Sequence, residues 1–149
     1  MSKTFKGRVV LSGEVSGDAT VSRQAFNTSG SYFENMFAGR TDAAPCTDSS
    51  NKELYQKDLS GAILCTTTTV GSTMGGMCLM GMKSIGVGPQ ALLFSKPIDT
   101  LAAAGVLMAD IWKDQRIVTI DRLGDEFLKA VKTGDPITIK EDGTVEVGG

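Results

Sequence analysis

Apolar residues fall along this chain in short strand-like runs cut by glycine and polar turns, with helical spacing confined to a few stretches between them. Lys6 to Leu11 and Asp18 to Ser22 read as β-strands. Val9-Val10-Leu11 and Ala19-Thr20-Val21 are separated by a glycine-containing turn, which predicts a hairpin. Gly61-Ala62-Ile63-Leu64-Cys65-Thr66-Thr67 is small, branched and uncharged, the pattern of a buried strand. Thr66 to Thr69 carry it on to Val70 and Gly71. Ser72 and Thr73 are both good helix N-cap residues, and Met74 to Ile85 follows with Met77, Cys78, Met80 and Gly81 at helical spacings. Gly86 and Gly88-Pro89 close that helix. Ala91-Leu92-Leu93-Phe94 is a second buried strand, so the unit is βαβ-like.

After Pro97, Asp99 to Ala109 forms an alanine-rich helix whose small side chains allow close packing. Arg116 to Ile120 reads as a strand, Asp125 to Val131 as a short helix ended by Gly134. Pro136 to Lys140 and Thr144 to Val147 bracket Asp142-Gly143, a hairpin signal. The stretch Gln24 to Ser60 differs from the rest. It is rich in Asn, Ser, Thr, Asp and Gly with scattered Phe26, Tyr32, Phe33, Phe37 and Tyr55. It is too long for an ordinary connection, so it is either disordered or a functional loop, and its aromatics favour one that packs against something. The expectation is a single mixed α/β domain over residues 1–149 with a long functional loop at about 24–60.

Length and composition agree with that reading. At 149 residues the chain is long enough to bury its own core, and 41% hydrophobic with 21% charged residues is ordinary globular usage. The apolar stretches Leu101 to Met108 and Met77 to Met82 are too short to span a bilayer, which excludes a membrane role. The N-terminus has two lysines but no apolar run behind them, so no secretory signal is read and a cytoplasmic location is expected. A formal charge of −2 lacks the basic footprint that nucleic-acid binding needs. The 3 cysteines, Cys46, Cys65 and Cys78, are widely spaced, against a disulfide framework or a zinc ribbon. Cys65 and Cys78 sit in apolar patterns and read as core; Cys46, in the polar loop, is the one expected to be accessible.

The most restrictive count is a histidine content of 0. It removes every Ser-His-Asp triad, Cys-His dyad and histidine-ligated metal from this chain alone. The most suggestive segment is then Val70-Gly71-Ser72-Thr73-Met74-Gly75-Gly76. It sets hydroxyls and backbone N–H groups at a helix N-terminus, where the dipole favours an anionic group. Pattern alone leaves two meanings open: a site, or Ser72 or Thr73 acting only as a cap. The segment is neither a Walker A loop nor a dinucleotide fingerprint. The stripe Met74, Met77, Met80 and Met82 reads as packing. Among Arg23, Arg40, Lys83 and Lys96, the two arginines are the better partners for an anionic substrate because they flank the long loop.

An ordered series of motifs runs through Gly7-Arg8, Gly17-Asp18-Ala19, Gly61, Gly71-Ser72-Thr73 and Gly86-Val87-Gly88-Pro89-Gln90-Ala91. It continues through the alanine-rich helix and Ala130-Val131-Lys132-Thr133-Gly134-Asp135. In this series the chain resembles the small subunit, or swivelling domain, of the aconitase-X group of dehydratases. The resemblance covers most of the chain outside residues 24–60. It implies a swivelling β/β/α fold, with mixed sheets and packed helices, that docks on a larger aconitase-X-like subunit. That subunit is expected to carry an iron–sulfur cluster, with no cofactor and no metal bound by this chain alone.

The same resemblance implies dehydration of a small hydroxylated carboxylic acid, with mevalonate 5-phosphate and cis-3-hydroxy-L-proline as substrate types. It makes Ser72 the proton acceptor; the turn pattern adds Gly71, Thr73 and Gly75, and its place beside the long loop adds Arg40, as substrate-binding residues. Such an elimination needs a base for an unacidic C–H and a Lewis acid for the leaving hydroxide. A serine hydroxyl needs N–H donors, such as those of Thr73 and Gly75, or a cationic neighbour to serve as that base. One stretch departs from the family. Where members carry an aromatic-Gly-Gly-x-Asp type loop, this chain has Ser29-Gly30-Ser31-Tyr32-Phe33-Glu34-Asn35-Met36-Phe37-Ala38-Gly39-Arg40, which leaves the substrate open. A non-catalytic anion-binding or regulatory module of the same fold is the alternative, and a stand-alone redox protein using the three cysteines is a third.

Overall fold

The computed structural model describes residues 2–148. Ten strands and five helices follow one another among the described residues. The first half contains β1 (Lys3–Lys6), β2 (Arg8–Leu11), β3 (Val15–Val21), β4 (Phe26–Asn27), α1 (Thr28–Ser31), α2 (Phe33–Phe37), β5 (Ile63–Thr66) and β6 (Thr69–Val70). The second contains α3 (Gly75–Ser84), β7 (Ala91–Phe94), α4 (Thr100–Lys113), β8 (Val118–Asp121), α5 (Asp125–Ala130), β9 (Pro136–Ile139) and β10 (Thr144–Val147). Eight strands form one mixed sheet in the order β1-β10-β9-β3-β5-β7-β8-β2, and β4 and β6 form a separate parallel pair. Strands β3, β5, β7 and β8 run parallel, as the βαβ pattern predicts, and the β9–β10 hairpin forms about Asp142-Gly143. Among the described residues no helix is long and apolar enough to cross a membrane.

The expected hairpin of the first two strands does not form. β2 pairs antiparallel with β8, whereas β3 lies at the centre of the sheet between β9 and β5. Ala19 and Val21 are buried against the parallel strands, a stronger destination than a solvent-facing edge. β1 and β2 stand at opposite ends of the strand order with only Gly7 between them, so the sheet must curl until its two edges meet. The Gly7 N–H donates to Gly143 O at 3.2 Å at that seam.

Alternate residues on the central strands feed two cores. Ile63, Cys65, Ala91, Leu93, Val118 and Ile120 pack with Phe127, Leu128, Val131 and the β9–β10 hairpin. Leu64, Leu92 and Phe94 face the other way, onto Leu79, Met82, Ala102 and Val106 of α3 and α4. Burial on both faces accounts for the uncharged runs from which β5 and β7 were read.

Residues 24–60 are an ordered layer over the second core. Phe26, Tyr32, Ala44, Cys46, Leu54 and Leu59 are buried in it, and the Phe26 and Tyr32 rings meet edge to face at 5.6 Å. The polar residues that suggest disorder serve the backbone instead. Asn35 donates to the Arg40 and Ala43 carbonyls, Thr47 Oγ1 to those of Gly30 and Ser31, and Asp58 accepts the Ala44 and Ser60 N–H groups. Asn51, fully buried, donates to Ser22 Oγ at 2.8 Å and ties the layer to the end of β3. Cys46 is therefore buried, at 1% exposure, contrary to its expected accessibility.

Candidate functional site

The chain leaves the buried strand β5 through four threonines, forms β6 beside β4, and turns at Gly71 before α3. Gly71 has φ +105°, a backbone region that an L side chain enters only with strain. Ser72 follows, exposed, and its Oγ accepts the Met74 N–H at 3.1 Å. The Ser72 carbonyl accepts the Gly75 N–H at 3.0 Å. The helix itself begins at Gly75 with Met74 in the cap position and no side-chain cap. Ser72 is thus not the N-cap that its residue type suggested; it forms a tight hydroxyl turn two residues earlier.

Ser72 opens onto a hollow of about 160 Å³. Its walls are Thr28 from the ordered layer, Thr69, Val70, Gly71 and Gly75 from the turn, and Asp99, Thr100 and Leu101 from the start of α4. Asp99 is locked in place. Its Oδ1 accepts the Leu101 and Ala102 N–H groups at 2.9 Å each, capping α4, and its Oδ2 accepts the Thr69 hydroxyl. The α4 helix runs to Lys113, past the Ala109 end read from the alanine run, because Ile111 and Trp112 continue it to Asp114 in a left-handed cap.

Two helices therefore point their N-termini at one hollow. They can do so because α3 and α4 cross with almost no side chain between them. A Cβ built on Gly105 would lie 2.5 Å from Gly76 O, and one built on Gly76 would collide with Leu101 O. The partial positive end of α3 favours negative charge in the hollow, whereas that of α4 is already met by the Asp99 carboxylate, the one charged side chain of the lining. Hydrogen bonding from the Met74 N–H favours the Ser72 oxygen as it gains negative charge.

Of the residues expected to act together, Gly71, Ser72 and Gly75 line the hollow; Thr73 is exposed beside it. The Gly75 N–H is already spent on Ser72 O, and the donor on Ser72 Oγ is Met74, which differs from the expected Thr73 and Gly75 donors. Arg40 is not among the lining residues. Its guanidinium pairs with Asp42 at 2.9 Å and Glu34 at 3.1 Å, and those carboxylates hold its pKa above the ordinary arginine value. Arg23 pairs with Glu53 and donates to Val131 O. Thr28, Thr69 and Asp99 line the hollow without having been singled out by the sequence, and Asn27 packs against Gly71 behind it. Asp99 carried a signal, an acid just before an alanine-rich helical run, and Asn27 another, an Asx residue before Thr28-Ser29-Gly30.

The cysteines do not form a ligand set for an iron–sulfur cluster. Cys65 lies in the core under β5, Cys46 in the other core under the ordered layer, and Cys78 beside Ser29 Oγ at 3.6 Å, all three buried. Burial pushes the Cys65 thiol far above its ordinary value. Among the described residues no group of three or more His, Cys, Asp or Glu side chains converges as a metal site would need. Two further hollows, about 180 and 280 Å³, lie along α5 and are lined mainly by Arg23, Lys129, Asp125 and Glu126, without a hydroxyl.

A family model for the aconitase X swivel domain matches residues 4–147. The chain is 28% identical over 144 residues to the phosphomevalonate dehydratase small subunit of Archaeoglobus fulgidus, covering 96% of this chain and 97% of that one. It is 27% identical over 145 residues to the phosphomevalonate dehydratase small subunit of Aeropyrum pernix, covering 97% and 93%. In fold it matches the crystal structure of Thermococcus kodakaraensis aconitase X in its holo-form, with a TM-score of 0.80 at 24% identity over 97% of this chain and 98% of that one. It also matches the solution NMR structure of a UPF0107 protein, with a TM-score of 0.76 at 25% identity over the same shares. The swivelling α/β fold expected from the sequence is the fold observed.

Proposed function

The chain belongs to the aconitase X swivel-domain family, and from that premise we propose that it is the small subunit of a hydro-lyase. In this reading it works with a large subunit to dehydrate phosphomevalonate, with Ser72 as the proton acceptor. The names of two relatives that match nearly end to end support the small-subunit role and the substrate. The observation that carries the role of Ser72 is its placement. An exposed hydroxyl, its oxygen already held by a backbone N–H, opens onto a hollow faced by two helix N-termini.

A hollow of about 160 Å³ is smaller than the ~300 Å³ or more that buries a small ligand alone. The chain also has no histidine to deprotonate the serine. Both facts support a site shared with a second chain. Ser72 acts as the alkoxide, stabilised by the Met74 N–H and the α3 dipole, and takes a proton from the substrate carbon to become the neutral hydroxyl, while the C–O bond breaks and the hydroxide leaves toward the large subunit, whose Lewis acid would hold it. The cation that lowers the Ser72 pKa and the iron–sulfur cluster are assigned to the large subunit, since the cysteines here are buried and apart.

The test is reconstitution of the two subunits with Ser72→Ala. Turnover of phosphomevalonate is expected to fall by roughly 10³-fold with assembly unchanged. Near-normal turnover by the assembled variant overturns the role of Ser72. Turnover of a different hydroxy acid but not of phosphomevalonate overturns the substrate.

A further inference from the structure

The α4 helix is apolar on two faces. Ala102, Gly105, Val106 and Ala109 are buried against the body of the domain. Leu101, Leu107, Ile111 and Trp112 on its outer side are 36%, 41%, 65% and 73% exposed. No charged residue interrupts the helix between Asp99 and Asp110. A surface helix of a self-sufficient domain shows one apolar stripe and one polar face; a helix apolar all round is covered on both sides.

The outer stripe continues onto the neighbouring helix. α3 crosses α4 at Gly76 and Gly105, and Met74 and Met77 at the head of α3 are 43% and 55% exposed. Val70, also exposed, and Leu101 both belong to the wall of the Ser72 hollow. The rim of the site and the apolar stripe are therefore one surface. At these exposures its apolar area is on the order of the ~800 Å² that one partner gives to a stable interface. It is more than the few hundred Å² that a monomer leaves contiguous. Its composition, aliphatic with the chain's one Trp, two Met and charge kept to the edge, is that of an interface core. The bidentate Arg116–Asp110 pair stands at its far end as a polar rim.

We infer that this face, from Val70 and Met77 along α4 to Trp112, is the docking surface for the large subunit. The inference rests on the two-subunit reading above and adds where the partner sits. The cavity decides between occupants. Whatever covers Val70 and Leu101 also closes the hollow over Ser72, so the occupant must bring what this chain lacks. A second copy would bring only another histidine-free serine turn. A chain with an apolar groove for α4 and its own catalytic groups completes the site and excludes water from it.

The test pairs the full chain with the large subunit and measures the dissociation constant. The double variant Ile111→Asp, Trp112→Asp alters side chains remote from Ser72 in sequence and exposed enough to leave folding intact, which a thermal melt verifies. It is expected to weaken binding at least 100-fold, whereas Tyr55→Asp, at an exposed aromatic outside the stripe, binds as wild type. Methionine oxidation gives an independent readout: Met74 and Met77 are expected to become protected in the complex. Wild-type affinity of the double variant, or unchanged oxidation of both methionines, overturns the assignment. Self-association of the wild type that the double variant abolishes assigns the face to a second copy and also overturns it. If wild type and large subunit do not associate at all, the two-subunit reading falls and this occupant with it. An assembled Ser72→Ala pair that keeps its turnover leaves the interface standing and removes only the role of Ser72.

Discussion

Asn27 and Gly71 are packed so closely that a Cβ on residue 71 would lie 2.5 Å from Asn27 Oδ1. The same Oδ1 accepts the Gly30 N–H at 3.0 Å and caps α1. One side chain thus joins the first turn of the ordered layer to the turn that carries Ser72. The parallel pairing of Phe26 with Thr69 and Asn27 with Val70 fixes the register between them. The stretch that sequence pattern set apart as a long loop is a wall of the site.

Gly71→Ala is expected to strain the turn twice, through its φ of +105° and through contact with Asn27. The backbone part alone costs about 1–2 kcal/mol. Turnover of the reconstituted pair should drop more than tenfold, because Ser72 shifts with the turn. Asn27→Ala costs about 1 kcal/mol as a lost cap, but combined with Gly71→Ala it relieves the collision. A double-mutant cycle on thermal stability should therefore show the pair less destabilised than the sum of the singles. Simple additivity would mean that the two residues do not press on each other.

The helix crossing makes a second prediction. Gly105→Ala would place a methyl 2.5 Å from Gly76 O and 2.7 Å from its Cα. A backbone atom cannot swing aside as a side chain can, so α3 and α4 must separate. Overpacking of this kind costs about 1–3 kcal/mol, read as a fall in the urea midpoint. Ala103→Gly, on the same helix but only half-buried, costs about 1 kcal/mol by propensity alone and serves as the control. Activity should fall with Gly105→Ala beyond what the lost stability explains, because the crossing aims both helix N-termini at Ser72.

How much of this was legible in the chain depended on the range of the interaction involved. Ala91–Phe94 and the hairpin about Asp142-Gly143 came out as read because local pattern and turn chemistry decide them. The pairing of β2 with β8 was not legible, since Arg8 and Asp121 are distant in sequence and no local signal records their meeting. The layer over residues 24–60 was legible only in part: its aromatics pointed to packing, but the partners of its polar residues did not show. Asn35, Thr47, Asn51 and Asp58 look like loop residues, and only the folded chain shows which carbonyls and N–H groups they satisfy. The turn at Ser72 stood out because glycine, hydroxyl and helix start are adjacent in the chain. Asp99 and Thr28 come from elsewhere and meet it only in space.

Thiol chemistry checks the corrected position of Cys46. Cys46, Cys65 and Cys78 are each no more than 1% exposed. Native protein should show no fast-reacting thiol toward an aromatic disulfide reagent, and all 3 should react once urea unfolds the chain. One rapid equivalent from native protein, lost in Cys46→Ser, would restore the accessible loop cysteine that the sequence suggested.

Asp121 supplies the pH dependence. Its carboxylate is fully buried at the end of β8, accepting from Arg8 Nε at 2.9 Å, from the other Arg8 nitrogen at 2.6 Å and from the Ile98 N–H at 2.7 Å. Burial by itself would raise its pKa; the Arg8 guanidinium and the Ile98 N–H together outweigh that and hold it below the ordinary aspartate value. The unfolded chain, with an aspartate pKa of about 3.9, therefore takes up this proton first as pH falls. The stability the pair contributes is complete above about pH 5, declines below about 4, and is lost once the pH passes the folded value. Asp42 and Asp110 are lowered as well, by arginine pairs near the surface that salt screens, and Asp58 and Asp142 by hydrogen bonds, chiefly from Ser60 and Thr144, that salt leaves in place. In 1 M salt the remaining decline in urea midpoint between pH 5 and 3 should come from Asp58, Asp121 and Asp142, and the part that Asp121→Asn removes is the share of Asp121. Asp121→Asn is expected to flatten that decline and to cost about 2 kcal/mol at pH 7. An unchanged slope in the variant would show that the Arg8 pair joins β2 to β8 without contributing to acid stability.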